Sequence, residues 1–492
     1  MPIKLNQQSL DRLPGNVSVP KYDRSKLSPG ILHVGVGNFH RAHQAIYLNR
    51  LFDLGDSLDW AIIGAGTRAN DAEMRRRLHD QDWLTTIVEL EPSGLTATVC
   101  GSMVDFIDID PARIVEALAR PEIRIVSLTI TEGGYYLDAT TGGFQSDHPE
   151  MLADGRNPQA PKTVFGLLLA GIERRRQAGL PPFTVMSCDN LPENGKITRQ
   201  TMIGLAQLMS GELAAWVEAN VAFPNSMVDC ITPATSDRMR QTVAAEFDIL
   251  DSSPVACEPF RQWVLEDNFP QGRPALEKVG VEFVDDVAPY ELMKLRILNG
   301  GHASIAYPAA LMGIDFVHDA MAEPLVSGFL ESVETLEIIP TVPLVPGVDF
   351  SDYFAKVKTR FSNAAVADTI PRLCLDGSNR QPKFILPTIA DRLKEGLPVD
   401  GLALEVALWC RYCFATDDAG NALEVADAKA EYLGQRAQKA KDNPPAFLDM
   451  QDIFGLLGGN EVFVQAFSSS LRSLWDEGTR QTLAQYIAKT AP

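Results

Sequence analysis

The chain has 492 residues, with 44 Lys and Arg against 64 Asp and Glu, a formal net charge of −20 at pH 7. A composition 45% hydrophobic and 22% charged is that of an ordinary globular enzyme, and the length predicts about two to four domains. So acidic a chain, with no Lys/Arg-rich tract and no apolar run near membrane-spanning length, excludes nucleic acid and membrane as expected partners.

The opening residues MPIKLNQQSLDRLPG lack the apolar centre of a signal peptide. Seven cysteines are too few, and odd in number, for a disulfide scaffold. A cytoplasmic location is expected. Compact β-branched runs then predict strands at 31-ILHVGV-36, 60-WAIIG-64, 85-TTIVEL-90, 123-IRIVSLTIT-131, 183-FTVMSC-188 and 281-VEFVDDV-287. Helical spacing falls between several of them, at Arg41 to Leu54, Pro111 to Ala119 and Thr163 to Gln177. Strand and helix alternating in this way predict an α/β fold with a parallel sheet. The stretches 226–236 and 253–267 are less regular, with Pro and Asn that suit edge strands and loops. From Tyr290 onward the apolar spacing is helical, as in 401-GLALEVALWCRYCFA-415 and across 461–489, with breaks at 340–347, 375–382 and 457–460. The expected division is therefore a Rossmann-type domain over 1–287 and a mostly α-helical domain over 288–492.

Two strands end in glycine pairs, at 35-GVGNFHRAH-43 and 64-GAGTRAND-71. Glycines there let backbone N–H groups approach a pyrophosphate at a helix N-terminus. By pattern the second loop is the better match, with small Ala69 at its third position and Glu89 at a spacing suited to a ribose hydroxyl. By chain order the first is preferred, despite bulky His40, because the first βα turn normally holds the pyrophosphate. On that reading Asp71 accepts from the adenosine ribose and disfavours a 2′-phosphate, so NAD(H) is the expected cofactor.

The segment 289-PYELMKLRILNGGHASIAY-307 is apolar nearly all round, which predicts a buried helix. With Lys294 as the origin, α-helical spacing places Glu291 at about 60°, His302 at about 80° and Asn299 at about 140°, one polar arc. A lysine so buried has its pKa pulled toward neutrality and suits a general base. The same four residues also suit a structural ion pair and satisfied core polar groups. At the end of an apolar strand, 185-VMSCDNLPENGK-196 places Asn190 where α/β sheets hold ligands, although Asp189, Asn190 and Asn194 are equally turn formers. His40 with His43, and Cys410 with Cys413, have metal-ligand spacing but no second ligand pair nearby, so no metal is expected.

Five motifs in order carry a resemblance over nearly the whole chain: G-x-G-x-F-H-R-A-H-Q at 35–44, T-x-T-E-x-G-Y at 129–135, F-T-V-M-S-C-D-N at 183–190, C-E-P-F-x-Q-W-V-x-E-D at 257–267 and K-x-x-x-L-N-G-x-H at 294–302. The sequence resembles the polyol-specific long-chain dehydrogenases, the mannitol 2-dehydrogenase and fructuronate reductase family. The resemblance implies metal-independent NAD chemistry with Lys294 as general acid/base and Asn190 and Asn299 as the oxyanion hole. It further implies that His302 and Asp229 position the substrate and that Glu291 and Glu132 relay the proton. Gly35, Gly37, Asn38 and Phe39 would hold the cofactor, which favours the first glycine loop. A substrate-side arginine matches Arg372, whereas Arg380 stands where lysine is expected; with Lys383 these cations could face the far end of a sugar acid. The expected substrate is a polyol and its 2-ketose, mannitol first, with fructuronate, tagaturonate or mannonate, D-arabinitol and sorbitol as alternatives. Such enzymes are often monomeric, which is the expectation here. A Rossmann-type sensor without chemistry and a zinc-dependent dehydrogenase are the readings from other classes.

Overall fold

Alternate residues of the apolar runs face opposite sides of one parallel sheet, as a two-residue period requires. Ile31, Ile62, Ile125 and Met186 join one core; Leu32, Val34, Ile63, Val126, Leu128 and Val185 join the other. Both faces are therefore apolar, the condition for a sheet covered by helices on both sides. The strands are β1 Pro29–Val34, β2 Ala61–Ala65, β3 Met103–Phe106, β4 Ile125–Leu128 and β5 Thr184–Ser187. They lie in the order β3-β2-β1-β4-β5, every neighbouring pair parallel. This is the Rossmann arrangement, with its topological switch point between β1 and β4. The computed structural model describes residues 2–138 and 141–490.

The chain forms two compact units, Met1–Ala288 and Pro289–Pro492. In the first, the helical stretch expected from Arg41 to Leu54 is two helices, α1 Asn38–Ala42 and α2 Gln44–Asp53, meeting at His43. His43 leaves helical geometry there, and its Nε2 bonds the Gln262 carbonyl at 2.9 Å. Helix α3 Ala69–His79 follows β2. The irregular stretches do contain strands: β6 Ser226–Asp229 runs antiparallel to β7 Gln262–Glu266, which is parallel to β8 Glu282–Val284. A separate sheet pairs Thr85–Glu91 antiparallel with Gly94–Cys100 and parallel with Val255–Cys257.

The second unit is built of helices and connecting turns. Its helix Asp400–Cys413 is buried at every position from Gly401 to Cys413, consistent with its apolar residues on all faces. The expected continuous helix over 461–489 breaks at Gly478, whose φ of +81° no helix tolerates, and Asp418 Oδ2 caps the restart at Thr479 N, 2.8 Å away. The 375–382 stretch, expected as a break, instead starts a helix, Gly377–Phe384, entered through Asp376 at φ +56°. Among the described residues no helix is long and apolar enough to cross a membrane.

Candidate active site

The first glycine loop leaves β1 at the switch point. Gly35 has φ +97°, and a Cβ there would lie 2.1 Å from the Thr129 carbonyl oxygen, so only glycine lets the loop pass β4 this closely. Gly37 is exposed, with nothing nearer to its missing Cβ than Gly35 O at 3.8 Å. The loop is thus closed underneath and open above the start of α1, a cradle whose shape fits a phosphate group. Gly35→Ala is expected to cost at least about 2 kcal/mol, since the left-handed conformation adds to the clash. Chemical denaturation against wild type measures it, and an unchanged midpoint would contradict this account.

Arg41, which sequence reasoning passed over, braces that loop. Its buried guanidinium donates to Gly37 O at 3.2 Å, to Asn38 Oδ1 at 2.8 Å and to Ser253 O. Burial lowers it to about 10, which leaves it charged. The available signal was a cation within the glycine-loop motif, in the short helix that follows the two glycines. Asn38 Nδ2 donates to Thr235 Oγ1 at 3.0 Å, and the half-buried Phe39 ring stacks on His43 at 4.9 Å. His40, the bulky residue of the motif, lies flat on His33 with ring centroids 3.4 Å apart. Burial keeps both neutral, His33 falling to about 3 and His40 well below its ordinary value.

In the second glycine loop the missing side chains make room for protein. A Cβ on Gly66 would sit 2.3 Å from Asp71 Cβ, and one on Gly64 would meet Phe106 and Val36 at 2.9 Å. Asp71 is half-buried in the first turn of α3, and its Oδ2 accepts the Arg68 N–H at 2.8 Å. Glu89, the other candidate for the ribose, is engaged by the guanidinium groups of Arg261 and Arg50.

Beyond β4 and β5 two loops are clasped together by Asp189. Its carboxylate accepts from Ile130 N and Thr131 N, both at 2.9 Å, and from Tyr135 Oη at 2.7 Å. Thr131 is held at φ +68°, a conformation that costs a β-branched residue about 1–3 kcal/mol. The clasp supports exposed Glu132 on one loop and exposed Asn190 on the other. Asn194 secures the base, donating to Asp189 O at 3.0 Å and Ser226 O at 2.7 Å while accepting from Ser226 N. Burial raises the Asp189 carboxyl. Asp229 is buried at the end of β6, opposite Gln262.

In the second unit the motif helix is not uniform. It is α4 Ala288–Met293, a π turn over Lys294–Asn299, then α5 Gly300–Leu311. This corrects the expected arc: α-helical spacing separates Lys294 and Asn299 by about 140°, but rings closed i→i+5 bring residues five apart onto one side. Of the two glycines after the turn, Gly301 permits close packing: a Cβ there would sit 3.1 Å from Glu334 Oε1. Glu291 and Lys294 are buried, the latter 7% exposed, and Asn299 is half-buried. Arg296, on the opposite course of the turn, is anchored to Thr341 O at 2.7 Å and to Asp391. His302 stacks on Phe361 at 4.1 Å, and burial with the charges of Arg372, Arg360 and Arg380 holds it well below its usual pKa. The Arg372 guanidinium is paired with Asp368 through two nitrogens, and Arg380 donates to Leu373 O at 2.8 Å. Lys383 is exposed on the helix that carries Arg380. Among the described residues no group of three His, Cys, Asp or Glu is placed to hold a metal ion.

A glycine loop at the switch point of a β3-β2-β1-β4-β5 sheet, followed by a helical unit with a buried lysine on a π turn, defines a Rossmann-type dehydrogenase architecture. The family described as the mannitol dehydrogenase Rossmann domain matches residues 29–278, and the mannitol dehydrogenase C-terminal domain matches 286–475. The chain belongs to the mannitol dehydrogenase family. A mannitol 2-dehydrogenase of Cereibacter sphaeroides is 54% identical over 475 residues, covering 96% of this chain and 99% of that one. The solved ternary complex of Pseudomonas fluorescens mannitol 2-dehydrogenase with NAD and D-mannitol is 43% identical, with TM-score 0.87 over 99% of this chain and 100% of that one. A substrate-free D-sorbitol dehydrogenase structure is 34% identical, with TM-score 0.90 over 97% of this chain and 100% of that one.

Proposed function

We propose that this protein is an NAD-dependent polyol dehydrogenase that interconverts mannitol and fructose by metal-independent hydride transfer. The domain over 1–287 holds the dinucleotide and that over 288–492 supplies the acid/base and most substrate contacts. The observation that carries the chemistry is the buried Lys294 sharing one π turn with Asn299. Bound NAD supplies the hydride acceptor. The neutral Lys294 amine takes the hydroxyl proton as the carbon–hydrogen bond breaks, and its ammonium returns that proton in ketone reduction. Asn190 and Asn299 donate their amide N–H groups to the oxygen as it gains charge. Asp229 and His302 fix the substrate hydroxyls, His302 as a neutral ring. Glu291 and Glu132 carry the proton onward to solvent.

Two of the three cations support a neutral polyol over a sugar acid. Arg372 has its charge taken by Asp368, and Arg380 is turned onto backbone carbonyls. The nearly end-to-end likeness to mannitol 2-dehydrogenases supports mannitol over fructuronate, and no observation favours the sugar-acid alternative. The test is a panel of fructose, fructuronate, tagaturonate and xylulose with NADH. Fructose is expected to give the highest kcat/KM, and a higher value for fructuronate would overturn the assignment. Asp71→Ala is expected to narrow the preference for NAD over NADP by about tenfold, as loss of a carboxylate facing the ribose should. An unchanged ratio of kcat/KM for the two cofactors would remove Asp71 from that role. We read the enzyme as cytoplasmic and monomeric; light scattering should give a mass near 53.8 kDa.

A further inference from the structure

Helix Gly377–Phe384, which carries Arg380 and Lys383, meets helix Asp400–Cys413 at two points. At its start a Cβ on Gly377 would lie 2.6 Å from Trp409 Nε1 and 3.0 Å from Tyr307 Oη, so glycine admits the close approach. One turn further on, Gln381 Nε2 donates to Glu405 Oε1 at 2.7 Å. Both side chains are enclosed, Glu405 at 0% exposure and Gln381 at 1%. Their other oxygens, Glu405 Oε2 and Gln381 Oε1, are buried too, and neither has a hydrogen-bond partner among the described residues. No lysine or arginine pairs with Glu405 among those residues. The ionisable group its charge reaches is the buried Tyr307 hydroxyl of α5, which it helps to raise.

An ionised carboxylate only accepts, so it would leave two orphaned buried oxygens on two side chains that already touch. One proton on Glu405 removes both orphans: Oε2 becomes a donor and Gln381 Oε1 its acceptor, beside the bond that runs the other way. A buried carboxylate without a cation is costly, whereas a neutral acid doubly bonded to an amide is satisfied. We propose that Glu405 is a positioning residue: as a neutral acid it locks the Gln381 amide, and with it the helix that presents Arg380 and Lys383 to the substrate. Burial outweighs the single Gln381 bond and pushes the carboxyl up to about 8, so the acid form prevails at neutral pH. The lock reaches further through Arg380, which donates to Leu373 O at 2.8 Å and to Arg372 O at 3.2 Å. Arg372 and Arg380 are in turn among the charges that keep His302 neutral. When the Glu405 proton leaves, the two facing oxygens repel, one of the two bonds is lost, and the helix shifts under the substrate contacts.

The inference rests on the polyol reading above. The experiment follows fructose reduction and thermal melting of the full chain from about pH 5 to about pH 9, in wild type, Glu405→Gln and Gln381→Leu. Glutamine at 405 offers the acceptor and donor of a neutral acid but cannot ionise, so Glu405→Gln should match the wild-type KM at about pH 6. From there to about pH 9, KM should rise about tenfold in wild type and stay level in Glu405→Gln, with kcat following one pH curve in both. Gln381→Leu should show the raised KM already at about pH 6. A carboxyl raised on folding contributes stability that is whole below about 4.5 and lost as pH rises to about 8, so Glu405→Gln should out-melt wild type by a widening gap across that range. A level KM in wild type, an equal rise in Glu405→Gln, or a melting gap that does not change with pH would each overturn the proposal. So would a Glu405→Gln chain that is unfolded or has a raised KM at about pH 6, or a folded Gln381→Leu with normal KM. Wild type that reduces no fructose would instead overturn the polyol reading, and the melting gap would still report on the Glu405 proton.

Discussion

Lys294→Ala is expected to lower kcat for fructose reduction by about 10³-fold or more while NADH binding stays within twofold of wild type. Removing a general acid/base costs the proton-transfer step in both directions and leaves cofactor contacts on the glycine loop in place. A buried position invites the objection that truncation merely loosens the fold. Lys294→Met answers it, because the methionine keeps the apolar stem that packs along the helix and removes only the ammonium. Both variants should also lose the lysine ionisation from the pH dependence of kcat, and a small primary amine added to Lys294→Ala should restore part of the rate. Turnover within tenfold of wild type in both variants would remove Lys294 as the base. Rate lost in Lys294→Ala but retained in Lys294→Met would assign it a packing role.

What the sequence revealed and what it hid divide along physical lines. The strands of the Rossmann sheet were legible because each is buried on both faces and reads as an unbroken apolar run, as 31-ILHV-34 and 125-IVSL-128 do. Strand β3 was not named, and β6 only as part of a stretch suited to edge strands and loops, since 103-MVDF-106 and 226-SMVD-229 mix polar with apolar residues and carry no unbroken apolar run. The π turn was invisible for a different reason. It changes which ring each hydrogen bond closes without asking for different residue types, so reading at α-helical spacing put Lys294 and Asn299 at the two ends of one wide arc rather than side by side. Composition also cannot tell a cation at the surface from one enclosed by carbonyls, and Arg41 therefore passed as part of a helix start. Asp189 and Asn194 were legible only as turn formers. Their bonds to Ile130, Thr131, Tyr135 and Ser226 come from distant parts of the chain, which local sequence does not contain.

Those same bonds bear on the second large effect. Asn190→Ala and Asn299→Ala are each expected to cost about 10²–10³ in kcat with little change in KM, as loss of a donor that acts only when charge develops on the substrate oxygen should. Preorganisation is what gives such a donor its value, and the structure supplies it differently at the two positions. Asn190 is exposed, yet its neighbour Asp189 is fixed by three hydrogen bonds and by the strained Thr131, so the loop need not reorganise as the alkoxide forms. Asn299 sits at the end of a π turn that Arg296 pins to Thr341 and Asp391. Exposure at Asn190 also separates chemistry from stability, because an exposed Asn→Ala change should alter folding by less than about 0.5 kcal/mol. At Asn299 alanine is the better helix former, so unfolding is no explanation for a slower enzyme there either. Rates measured in both directions should fall together, since in the proposed mechanism one pair of donors serves oxidation and reduction alike. A change of less than threefold in either variant would contradict that residue's role, and a rise in KM with kcat preserved would reassign it to holding the substrate.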